Sequence, residues 1–178
     1  MPEKKKKVPR QKMPEQAPDV RRRNFEEVPH GYTVELAQLE ASRCLQCKKP
    51  SCIEGCPVNV NIPAFIKHIA EGNFVDAILK LWENNSFPAV CGRVCPQEAQ
   101  CEGKCIVGKK DEPVAIGNLE RFAADWARGQ SDIPMPPIDE KTGKKVAVVG
   151  SGPGGITVAG DLIRKGHEVT LYEAFHKP

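Results

Sequence analysis

The chain has 178 residues, enough for one domain or for one domain with part of another, and only 40% are hydrophobic, so a large apolar core is not the obvious source of its stability. Its net charge of +3 is uneven: residues 1–23 carry nine Lys or Arg against three acids, and the remainder is net negative. No apolar run approaches a membrane span or a secretory signal, which points to a soluble cytoplasmic protein, and in that compartment eight cysteines read as metal ligands rather than disulfides.

Residues 1–24 read as a basic flexible arm. The arm lacks interleaved aromatics and the body has no matching positive surface, so neither nucleic acid nor a membrane is expected as a partner. Thr33 then precedes Val34, Leu36, Ala37, Leu39 and Ala41, which suit a short helix that delivers Cys44 at its end. Residues 44–57 are too dense in Cys, Gly and Pro for a regular element and read as a ligand loop. Asn61 caps a helix over IPAFIKHIAEG that Gly72 stops. Asn73 can cap the next, FVDAILKLWENN, whose Phe74, Ile78, Leu81 and Trp82 recur at helical spacing and belong to a core. A second Cys-rich loop covers residues 91–105, and a further helix runs from about Ile116 to Arg128. Residues 25–129 therefore form a mainly α domain. Residues 130–143 hold three prolines and mark a linker. Beyond it a short apolar strand, a helix over ITVAGDLIRKG and a strand EVTLYE make residues 144–178 the opening β-α-β of an α/β Rossmann domain. Two strands leave an edge unpaired, so this segment is expected to bind FAD weakly or not at all by itself.

The first loop reads Cys44-x2-Cys47-x4-Cys52-x3-Cys56-Pro57, close to the bacterial ferredoxin run but with x4 in place of x2. The second reads Cys91-x3-Cys95-Pro96-x4-Cys101-x3-Cys105. A 4Fe-4S cube needs four external ligands, so eight cysteines match two cubes by count. Zinc also takes four thiolates, and a zinc-stabilised binding scaffold is the alternative. Structural zinc usually pairs two Cys-x2-Cys knuckles, however, and here there is one. Between strand and helix, Gly150-Ser151-Gly152-Pro153-Gly154-Gly155 satisfies G-x-G-x-x-G. Gly150 permits the tight turn, Gly152 lets backbone approach a pyrophosphate, and Gly155 lets the helix pack on the strand. Glu173, 23 residues after Gly150, stands where an acid binds a ribose hydroxyl. The motif alone does not decide between FAD and NAD.

Taken together, RCLQCKKPSCIEGCPVNVNIPAFI, CGRVCPQEAQCEGKC, AIGNLERFAADWA and VAVVGSGPGG resemble the small-subunit family of NADPH-dependent glutamate synthase. The same module occurs in the large subunit of NADH-dependent ferredoxin:NADP oxidoreductase and at the N-terminus of dihydropyrimidine dehydrogenase. The resemblance covers about residues 25–178. It implies an alpha-helical ferredoxin-like fold with two 4Fe-4S clusters, FAD on the glycine motif, and NAD(P)H on a second nucleotide domain. It further implies electron relay between FAD and a partner redox subunit, either a glutamate synthase large subunit or a ferredoxin-linked flavoprotein subunit, with no catalytic residue in this stretch. By resemblance, one cluster takes Cys44, Cys47, Cys52 and Cys105. The other takes Cys56, Cys95, Cys101 and Glu120, and Cys91 is left without iron. Residue type alone makes Glu120 an exposed helix residue.

Overall fold

Capping side chains and prolines begin several helices of the computed structural model, in which residues 8–176 are described. The described residues divide into two units between Ser131 and Asp132. In the first, α1 (Pro18–Arg21) is a single turn. It is followed by α2 (Val34–Ala41), where the Thr33 hydroxyl accepts from the Leu36 N–H at 3.3 Å. α3 (Ser51–Glu54) is one turn inside the first Cys-rich stretch. α4 (Ile62–Ala70) starts with the Asn61 side chain accepting from the Ala64 N–H at 3.4 Å, and Gly72 follows it with φ +79°. Asn73 does precede α5 (Phe74–Trp82), but its side chain makes no capping bond. α6 (Pro88–Val94) carries Cys91, so the second Cys-rich stretch is partly helical instead of a loop; two 3-10 turns follow it. α7 (Ile116–Arg128) lies where its periodicity places it.

The core of this unit comes from α4, α5 and α7. Phe65, Ile66, Ile69, Ile78, Leu81 and Leu119 are fully buried, each contributing about 1.5–3 kcal/mol by leaving water. Phe74 sits at the rim, where its ring meets Phe122 and Trp126 edge-on at 5.3 and 5.2 Å between centroids. Trp82 is likewise only half-buried.

The expected arm is a correction. Its first seven residues lie outside the described ones, but residues 8–16 are tied to the rest of the unit, while residues 17–23 are exposed. Arg10 donates to Glu102 at 2.7 Å and to the Pro113 carbonyl at 2.8 Å, and Tyr32 donates to the Gln11 carbonyl at 2.6 Å. Residues 14–16 pair with residues 28–30 through Gln16 N–H to Val28 O and His30 N–H to Pro14 O. Of the basic side chains that read as solvated, Arg10 thus finds a carboxylate and a carbonyl far away in sequence, while Lys12, Arg21, Arg22 and Arg23 are exposed.

In the second unit β1 (Lys145–Val149) pairs in parallel with β2 (Glu168–Tyr172), in a register running from Lys145↔Glu168 to Val149↔Tyr172, and α8 (Pro153–Arg164) connects them. Residues 132–143 form no regular element. They are nevertheless tied to this unit, since Asp139 N–H donates to Arg164 O and Thr142 N–H to Gly166 O. The described chain is therefore mostly helical with a small two-stranded sheet, and none of its helices is long and apolar enough to cross a membrane.

Candidate metal centre

The end of α2 brings a buried ion pair to the doorstep of Cys44. Arg43 donates to Glu40 at 2.6 Å, with the two side chains 3% and 0% exposed. Glu40 also accepts from the Ala115 N–H at 2.8 Å and the Gln11 N–H at 2.7 Å. Arg43 spends its other donors on the carbonyls of Glu112, Pro113 and Val8. A buried pair is tolerable when its remaining hydrogen-bonding groups are satisfied like this. The result is that the start of the first Cys-rich stretch is fixed against the segment between Cys105 and α7. On the other side the Ser51 hydroxyl donates to the Lys104 carbonyl at 2.7 Å.

Between those ties Cys44, Cys47, Cys52 and Cys105 line one cavity, whose other walls include Ile62, Ile66 and Val114. Burial and the neighbouring Cys44 and Cys105 thiols push the Cys52 thiol up to about 11, and burial raises Cys44 as well. Thiols in such a place ionise readily only when cations sit among them. Among the described residues, no three His, Cys, Asp or Glu side chains converge to hold a single metal ion. A cubane takes one thiolate at each iron corner, so its ligands line a space instead of meeting at a point. This four-thiol, apolar-walled cavity fits that requirement.

Two glycines build the second group. A Cβ on Gly55 would lie 2.6 Å from the Gln100 carbonyl oxygen, so glycine is what lets Cys56 come alongside Cys101. A Cβ on Gly92 would lie 2.6 Å from the Arg121 nitrogen, so glycine also lets α6 lie on α7 beside Glu120. Glu102, buried next to Cys101, accepts from the Gly117 N–H at 3.1 Å and pins that stretch to the first turn of α7. Burial, with Cys91, Glu120 and Cys56 close by, pushes Cys95 up to about 11. Burial together with Glu102, Glu120 and Cys56 pushes Cys101 up to about 12. Cys56, Cys95, Cys101 and Glu120 are therefore neighbours, and Cys91 adjoins them.

Glu120 is buried, unlike the exposed position its residue type suggested. Burial pushes its carboxyl up to about 7, against a hydrogen bond from Asn85, whose Nδ2 donates to Oε1 at 2.6 Å. The Cys91 thiol donates to Asn85 Oδ1 at 3.6 Å. Residue-type reasoning passes over Asn85, Glu40 and Glu102. Only the Glu40/Arg43 spacing, three apart and directly before Cys44, signals any of them.

In the second unit, the four expected nucleotide residues gather at the C-terminal ends of the two strands. Gly150 turns the chain with φ +96°, Gly152 precedes α8 and faces open space, and a Cβ on Gly155 would collide with the Gly150 carbonyl. Glu173 accepts from the Ser151 hydroxyl and from the Ser151 N–H at 2.8 Å, and these bonds hold its carboxyl down at about 2.

Comparison with known proteins agrees with the metal-site geometry. The chain is 36% identical to the NADPH glutamate synthase small chain of Azospirillum brasilense over 94% of its own length. It is 38% identical to the NAD-dependent dihydropyrimidine dehydrogenase subunit PreT of Escherichia coli K12 over 84%, and 37% identical to the putative oxidoreductase AegA of the same organism over 87%. It spans 35%, 36% and 24% of those relatives' lengths, respectively. The model of one domain family, dihydropyrimidine dehydrogenase domain II with its 4Fe-4S cluster, matches residues 21–132, which take in every cysteine and Glu120. With two groups of thiols already gathered over that same stretch, the chain belongs to this family of 4Fe-4S cluster domains.

Proposed function

We propose that the chain holds two 4Fe-4S clusters and serves as the electron-relay part of an NAD(P)H-dependent flavin oxidoreductase of the glutamate synthase small-chain kind. The observation that carries this reading is the gathering of seven cysteines and Glu120, from both Cys-rich stretches and α7, into two groups. Cys44, Cys47, Cys52 and Cys105 would hold one cluster, and Cys56, Cys95, Cys101 and Glu120 the other. When bound, the clusters supply single-electron transfer and FAD supplies hydride chemistry. The chain's own residues prepare for this in three ways. Thiolates and one carboxylate present charge, Ile62, Ile66 and Val114 limit water, and the Glu40–Arg43 and Glu102 ties fix the ligand-bearing backbone.

Residues 25–129 would be the helical iron–sulfur domain, 130–143 a linker, and 144–178 the opening of a Rossmann domain. There Gly150, Gly152 and Gly155, with the N-terminus of α8, would take the FAD pyrophosphate. Glu173 would exchange its Ser151 contacts for a ribose hydroxyl. In the whole protein NAD(P)H would bind beyond this stretch, and a partner redox subunit would exchange electrons with the relay: a glutamate synthase large subunit or a ferredoxin-linked flavoprotein subunit. A reducing cytoplasm, where thiols are kept from pairing, would suit cysteines that serve as cluster ligands.

The test is composition. Anaerobically purified chain is expected to be brown and to contain about eight irons and about eight acid-labile sulfides. Zinc without sulfide in colourless protein overturns the reading.

A further inference from the structure

We infer that Asn85 is a positioning residue for the second metal group, holding one oxygen of Glu120 and leaving the other for iron. The inference rests on the reading of Glu120 as a ligand. Asn85 lies between α5 and α6, is buried, and is anchored by its own N–H donating to the Leu81 carbonyl at 2.9 Å. Both ends of its amide are committed. Oδ1 accepts from the Phe87 N–H at 2.8 Å and from the Cys91 thiol at 3.6 Å, so a flipped amide would face two donors with a third. Nδ2 therefore points at Glu120 and donates to Oε1 at 2.6 Å. Among the described residues no donor reaches Oε2. Cys91 acquires a role by the same geometry, since its thiol helps fix the amide that fixes the ligand.

A hydrogen bond to a ligand withdraws charge from it, and such bonds tune iron–sulfur potentials. Losing the Asn85 donor should make Glu120 donate more charge and lower the potential of that cluster alone. Asn85 also caps the start of α6 through Phe87, so the test has to separate support from positioning. Asn85→Ser does so, because a hydroxyl can still accept from the Phe87 N–H but is too short to reach Glu120. Asn85→Asp keeps size and capping oxygen while turning the donor into an acceptor.

The experiment is an anaerobic redox titration of the iron-loaded full chain, followed by electron paramagnetic resonance. Both variants are expected to retain iron, to shift one cluster to lower potential with altered g values, and to leave the other unchanged, with the larger shift for Asp. Unchanged potential and g values in both variants overturn the inference. If Asn85→Ser fails to hold a cluster, Asn85→Asp decides by the same criterion. Glu120→Ala, run alongside, keeps the two ideas apart. If it leaves the spectrum unaltered, the ligand reading fails; if it alters the spectrum while both Asn85 variants do not, only the positioning role fails.

Discussion

A carboxyl group buried at the level of Glu120 is costly to keep charged, and its own hydrogen bond from Asn85 offsets only part of that cost. Such an arrangement makes sense where a cation completes it. Glu120→Cys is therefore expected to keep iron while lowering one cluster's potential, because thiolate donates more charge than carboxylate; a redox titration reads this directly. Among the cysteines, Cys44→Ser and Cys101→Ser are each expected to lose about four irons, whereas Cys91→Ser keeps about eight. Equal losses for all three would return Cys91 to the ligand set. The sequence made the thiols legible by count and spacing. It could not show that Glu120 is buried, since that depends on α6 lying over α7 at Gly92, a contact between residues about thirty apart along the chain.

At the level of elements, α2, α4, α5 and α7 were legible because their apolar positions recur at helical spacing and caps or glycines bound most of them. α6 was not. Its seven residues, PAVCGRV, carry too little periodicity to stand out from a Cys-rich loop. The basic segment was misjudged for a different reason: what holds it lies 92 residues away at Glu102 and 29 away at Glu40. The tie at the end of α2 can be broken selectively. Arg43→Met leaves Glu40 buried without its cation and is expected to lower stability by about 3–5 kcal/mol, measured by denaturant unfolding of matched iron-loaded samples. Lys67, by contrast, forms an exposed pair with Glu71 at 3.8 Å, and Lys67→Met should change stability by less than about 1 kcal/mol.

At the scale of the whole molecule, the helical unit adds to its apolar core a set of polar ties that join stretches distant in sequence. Removing residues 1–24 is therefore expected to destabilise the helical unit, contrary to what a solvated arm would do. Differential scanning calorimetry of the shortened, iron-loaded chain should show an earlier transition. An unchanged transition would restore the free-arm reading.

The two residues Arg10 and Gln11 reach opposite ends of the metal-binding region. Arg10 is bound to Glu102 beside Cys101, and the Gln11 N–H to Glu40 near Cys44. One short seam thus backs both groups of thiols, and under the proposed two-cluster reading it would couple the loss of one cluster to the loss of the other. In air, where clusters of this type decay, bleaching should run as a single phase in the intact chain. Arg10→Ala, which unfastens the seam from one side, should split it into two.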